Sequence, residues 1–152
     1  MNSKAVADAI AARFVGVTAT LASGTESIAV GPTASLPNQI SEGPALLVLH
    51  PDGVLDIGVS RMRLDELDFP VRFLRDPSDY PSRSDALYAW YDALRDRVEM
   101  NMDLDLAYVA WAKTISAHAE LDVGEFAKVT GFDLIEFVVR VHFNEVVTTV
   151  ST

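Results

Sequence analysis

The chain has 152 residues, 49% of them hydrophobic and 22% charged, which suits a single domain with one core rather than a disordered segment. Its 22 acids against 12 bases leave a net charge of −10, which opposes adhesion to nucleic acid or an anionic membrane and argues against tight DNA binding. No cysteine is present, so disulfides and thiolate metal sites are excluded, as suits a reducing cytoplasm, and no apolar run approaches the length that spans a bilayer.

Ser3 is placed to cap a short helix in which Val6, Ile10 and Phe14 recur at i, i+4 and i+8 beside Ala7 and Ala11, with Gly16 as the stop. Residues 14–25 are uncharged and follow Lys4 and Arg13, but Asp8, Gly16 and three threonines make this a poor secretion signal. Over residues 18–44 the composition turns to Gly, Ser, Thr, Pro and Asn, and only Ile28, Ala29 and Val30 suggest a brief strand. The expectation is a long loop or arm, either a plain surface connection or a segment that orders against another subunit. Its interface candidates are Ile28, Val30, Leu36 and Asn38.

Residues 45–50 form a short apolar run that ends at the turn signal Pro51-Asp52-Gly53, and Leu55, Ile57 and Val59 alternate behind it, so the two runs predict a hairpin. After Asp65, Glu66 and Asp68, a third strand carries Phe69, Val71 and Phe73. Pro70 has no ladder donor, so that strand either starts there or lies at an edge. The loop at 75–81 adds Arg75, Asp76 and Tyr80 as interface candidates.

Ser82 with Asp85 matches the S-x-x-D form that opens a helix, and Leu87, Trp90, Tyr91, Leu94 and Val98 follow one helical face. Asp92, Arg95, Asp96 and Glu99 line the opposite face, where Arg95 and Glu99 stand at i, i+4. Residues 106–121 hold helix-suited alanines, yet Tyr108, Val109, Trp111, Thr114 and Ile115 predict a strand. Residues 132–150 predict one long strand, with Ile135, Phe137, Val139, Val141 and Phe143 on one face and Glu136, Arg140, His142 and Asn144 on the other. At about 3.3 Å per residue it spans on the order of 50 Å, far enough to meet a neighbouring subunit. The last two strands are sequence neighbours, which favours an antiparallel pair. These elements make residues 1–152 a single α+β domain, a mainly antiparallel sheet of about five strands with two helices on one face.

Catalytic equipment is not evident. His50, His118 and His142 fall on different elements without a paired-ligand spacing and are better explained as ordinary surface or half-buried histidines. Phosphate-cradling glycine loops and the Gly-x-Ser-x-Gly elbow are missing, and solvated turns explain the pairs Asp65–Glu66 and Asp103–Asp105 better than a metal site does. The expectation is therefore no catalytic, cofactor or metal residue. Charge distribution says more: from Asp65 to Asp105, 11 acids oppose 5 bases. A solvated helix face accounts for this by itself. A ring that turned the region inward would instead have a negative bore that lets DNA slide without sticking, with Asp65, Glu66, Asp103 and Asp105 as channel-facing candidates.

The stretch LDFPVRFLRDPSDYPSRSDALYAWYDALRDRV at 67–98, taken with FDLIEFVVRVHFNEVV at 132–147, resembles the tail-terminator proteins of long-tailed bacteriophages, the minor tail protein U type. The shared pattern is an N-terminal helix, a proline-bearing strand over 68–75, a loop, an amphipathic helix and a closing pair of strands. It covers most of the chain from Ala45 onward and has no counterpart for 18–44. The resemblance implies a structural virion protein of the tail or neck, assembled in the host cytoplasm, with neither enzymatic activity nor a cofactor. Its copies would form a homohexameric ring that caps the tail tube, ends tube growth and offers an attachment surface to the head connector, with DNA only passing through. The implied partners are further copies, the tail tube protein and a connector or head-completion protein. Neck and tail-completion proteins, which join head to tail, share similar folds and stand as the alternative. On the residues alone, a small α+β ligand-binding or regulatory module and a carboxylate-and-metal enzyme also stand.

Overall fold

The structure, a computed structural model, describes residues 2–38, 40, 43–53, 56–57, 62–63, 66–76, 82–98, 104–120 and 132–144. Helix α1 (Ser3–Ala12) is capped by Asn2 rather than Ser3: the Asn2 side-chain oxygen accepts from the Ala5 amide at 3.1 Å. Val6, Ala7, Ile10 and Ala11 are buried, as the spacing predicts, and Phe14 is buried in the turn after the helix, which closes at Gly16 with φ +82°.

Residues 18–44 are more regular than an arm. β1 (Thr18–Leu21) and β2 (Gly24–Ser27) form an antiparallel hairpin with Leu21 opposite Gly24, and β3 (Val30–Thr33) runs parallel to β4 (Ala45–Val48). Of the hairpin strands only Ala19 is fully buried, so no alternation of large apolar residues announces them. The amides of Ala29 and Val30 both donate to the Pro44 carbonyl, at 2.8 and 3.0 Å, and tie the segment to β4.

The expected hairpin between 45–50 and 55–59 is also corrected. β4 lies between β3 and β8 (Glu66–Arg75), with Val48 opposite Val71. β5 (Asp52–Gly53) continues in the same direction along β8, with Asp52 opposite Asp68, while β6 (Asp56–Ile57) pairs with β7 (Met62–Arg63). The Pro51-Asp52-Gly53 signal thus ends β4 without folding the chain back on it.

β8 is interior to the sheet, not at its edge. Pro70 stands opposite Val138 of β10 (Asp133–Phe143), and its carbonyl accepts from the Leu49 amide at 2.8 Å. The two main-chain polar groups of a strand residue point the same way, so the missing donor faces the break between β4 and β5 and leaves the β10 ladder whole.

The main sheet follows the path β3-β4-β8-β10-β9, with β9 (Val109–Glu120) antiparallel to β10. Helices α1 and α2 (Ser82–Val98) share one core with the same sheet face, where Phe69, Val71, Phe73, Ile135, Phe137 and Val139 are buried. Trp90 of α2 sits at its centre, 4.6 Å from Phe73 between ring centroids. The α+β plan with both helices on one face therefore holds. β10 stops at Phe143, and the Asn144 amide turns aside to the Tyr108 carbonyl at 2.9 Å. It is paired on both sides, by β8 and β9, so these residues of β10 cannot pair with a neighbouring subunit. Residues 145–150, the rest of the expected long strand, and Glu99 lie outside the described residues.

Candidate assembly surface

The interface candidates from the sequence divide by where they fall. Ile28 is half-buried against the main core, and Val30 packs with Ala45, Leu47, Leu74 and Leu134 in a small cluster on the opposite sheet face. Arg75, at 9% exposure, is committed inside the molecule: its Nε and Nη2 donate to the two carboxylate oxygens of Glu26 at 2.9 and 3.1 Å, and Trp90 Nε1 adds a third bond at 2.6 Å. Burial by itself raises the pKa of Glu26, but the Arg75 and Trp90 hydrogen bonds and the Arg75 charge outweigh it and hold the carboxyl below its ordinary value. Asp76 accepts from the Gly43 amide at 2.7 Å, where the main chain passes so close to β8 that a Cβ on Gly43 would lie 2.7 Å from the Leu74 carbonyl oxygen. Leu36 and Asn38 are exposed, and Tyr80 lies outside the described residues. Sequence reading missed Glu26 because its partners lie 49 and 64 residues away.

A cavity of about 320 Å³ opens beside this ion pair, lined by Thr20, Leu21, Ala22, Ser23, Arg75, Asp85, Ala86 and Ala89. The guanidinium in its wall is already held by Glu26.

The sheet face away from the helices is charged and internally matched. Arg140 makes a two-pronged contact with Asp68, directly across the β8–β10 ladder, at 2.8 and 3.0 Å, and lies 3.4 Å from Glu66. Arg72 pairs with Glu136 in the same cross-strand manner. Beside them, the Trp111 ring stacks on His142 with centroids 5.2 Å apart, and Lys113 Nζ lies 4.7 Å from the Trp111 ring.

Of the channel-facing candidates, Glu66 therefore serves the Arg140 pair, while Asp105 is exposed with φ 54° at the same end of the sheet. Asp65 and Asp103 are outside the described residues. Between Asp65 and Asp105 the acids and bases on the described strand and helix are equal in number. Glu66 and Asp68 balance Arg72 and Arg75 in β8, and Asp85, Asp92 and Asp96 balance Arg83, Arg95 and Arg97 in α2. The surplus is Asp76 and Asp105, which flank the described elements, together with Asp65, Asp79, Glu99 and Asp103, which lie outside the described residues.

His50 and His118 are exposed and His142 is half-buried on Trp111. Among the described residues, no three of His, Asp or Glu are placed to share a metal ion. Compared with protein-family models, curated proteins and solved structures, the chain matches none.

Proposed function

We propose that the chain is a structural protein of a long-tailed bacteriophage virion, a tail terminator. Its copies form a ring on the tail tube, end tube growth and present the surface on which the head connector lands. The observation that carries the proposal is the order of elements. Helix α1, the proline-bearing β8, the amphipathic α2 and the closing antiparallel pair β9–β10 follow one another as they do in the pattern that residues 67–98 and 132–147 resemble.

The charge layout supports the same reading. Elements with balanced charge can pack against other copies without strong repulsion, while the surplus of acid that the sequence carries between Asp65 and Asp105 supports the negative lining that a DNA passage needs. The partners in this reading are further copies of the chain, the tail tube protein and the connector.

Electron microscopy of tail tubes polymerised with and without the purified protein tests the proposal. Rings at tube ends and shortened tubes are expected. Bare ends with unchanged tube length contradict a terminator, and binding to connector particles but not to tubes would identify a tail-completion protein instead.

A further inference from the structure

The five-strand path ends in two edges that are built differently. β3 has four residues, includes Pro32, which has no amide to donate, and lies against α1. β9 has 12 residues, contains neither proline nor glycine, and pairs with β10 alone among the described strands. In its first half Ala112 is buried in the main core, but residues 115–119 are all exposed, Ile115 by 39%. Across the ladder Ile135 and Phe137 are fully buried while their partners Ala119 and Ala117 are not, so the helix layer ends between β10 and the outer half of β9.

We infer that the outer edge of β9 docks a second copy of this chain, joined by antiparallel pairing of the two β9 strands about a two-fold axis. The outward main-chain donors and acceptors of β9 face no described strand, and such a row is satisfied by another extended strand. The other described edges are short, four residues in β1, β2 and β3 and two in β5, β6 and β7, so among the described strands only another β9 matches this one in length.

A two-fold contact requires self-complementarity, and β9 has it. Thr114 stands opposite Val139 and Ser116 opposite Val138, which makes Ile115 the extra residue of a bulge. With that residue set aside, Lys113 and Glu120, the only charges in the strand, are equally far from Ala117. Pairing centred on Ala117 sets each Lys113 against the Glu120 of the other copy, Thr114 against Ala119 and Ser116 against His118. Two chains of net charge −10 thus meet along a strand whose own charges cancel.

The inference goes beyond the ring. A two-fold pair has no polarity, whereas a cap between tube and connector has two unlike sides, so the β9 pair is the form of the free protein and parts on docking.

Light scattering on the size-fractionated full chain tests this with three variants: Ala117→Lys, Lys113→Glu and the charge swap Lys113→Glu/Glu120→Lys. The wild type is expected at twice the chain mass. Ala117→Lys, whose exposed side chain leaves the fold and its circular dichroism intact, should weaken the dimer about ten-fold or more by setting like charges at the axis. Lys113→Glu should also weaken it, and the swap should restore it. A monomeric wild type, a dimer indifferent to Ala117→Lys, or a swap that fails to restore association overturns the inference. The ring reading fails separately: a six-copy mass untouched by Ala117→Lys removes the β9 pair and keeps the ring, and a β9 dimer that never appears at tube ends does the reverse.

Discussion

β10 and β9 lie side by side over 11 and 12 residues and have opposite fates. β10 carries Ile135, Phe137, Val139, Val141 and Phe143 under the helices, all buried, with a strand on each flank. At the facing positions β9 carries Ala119, Ala117, Thr114, Ala112 and Val109, small or branched side chains at the limit of the helix layer. The flank toward β8 is sealed further by the Glu26–Arg75–Trp90 cluster and by Asp76 on Gly43, whereas the outer flank of β9 has no described strand beside it. The size of the apolar residues along a strand therefore reports whether a layer covers it. Length alone does not say which strand is free to meet another chain.

The largest expected effect tests the interior side of this contrast. Val139→Asp puts an unpaired carboxylate where exposure is 0%, at a cost of about 4 kcal/mol or more. In urea unfolding this should abolish the cooperative transition or move it to very low denaturant. Ala117→Asp in β9 should change monomer stability by no more than about 0.5 kcal/mol. Equal losses for the two would erase the distinction between centre and edge.

Next comes the sealed flank. Glu26→Gln keeps the shape but removes the charge held by Arg75, and a loss of about 1–3 kcal/mol at neutral pH is expected. Because folding holds the Glu26 carboxyl below its ordinary value, its stabilisation is present above the ordinary carboxylate range and drains as pH falls through the folded-state value. The gap between wild type and Glu26→Gln in urea melts should accordingly close on acidification. A gap that stays constant with pH would show that the ion pair does not seal this flank.

A smaller effect, of opposite sign, is expected at the boundary between the two strands. Thr114 Oγ1 is buried with no hydrogen-bond partner among the described residues, so Thr114→Val should stabilise the protein by about 1 kcal/mol in thermal unfolding. The least is expected on the open sheet face. Arg140 is 39% exposed, and Arg140→Gln should shift the urea midpoint least of these variants, with the difference shrinking as salt is added.

Much of the interior was legible in the sequence because burial writes a period. The spacing of Val6 and Ile10, of Leu87, Trp90 and Leu94, and the alternation from Ile135 to Phe143 each gave the element and its buried face. Neighbours were not legible in the same way. Pro51-Asp52-Gly53 marks where β4 stops but not where the chain goes next, and Pro70 suggested an edge because the matching break between β4 and β5 is a property of three strands at once. The hairpin at 18–27 was hidden by its small polar residues. The candidate assembly edge was hidden for a related reason: the four alanines of β9 leave helix and strand nearly tied, and edge position is fixed by topology rather than by any local pattern.

Hydrogen exchange, resolved by residue and repeated over a range of protein concentration, tests the contrast between the two strands most directly. β10 amides should exchange slowly throughout, while the outward amides of β9 should exchange quickly in dilute protein and slow as the concentration rises. Outward β9 amides as slow as those of β10 in dilute protein would mean that a single chain already covers this edge, and would contradict the account.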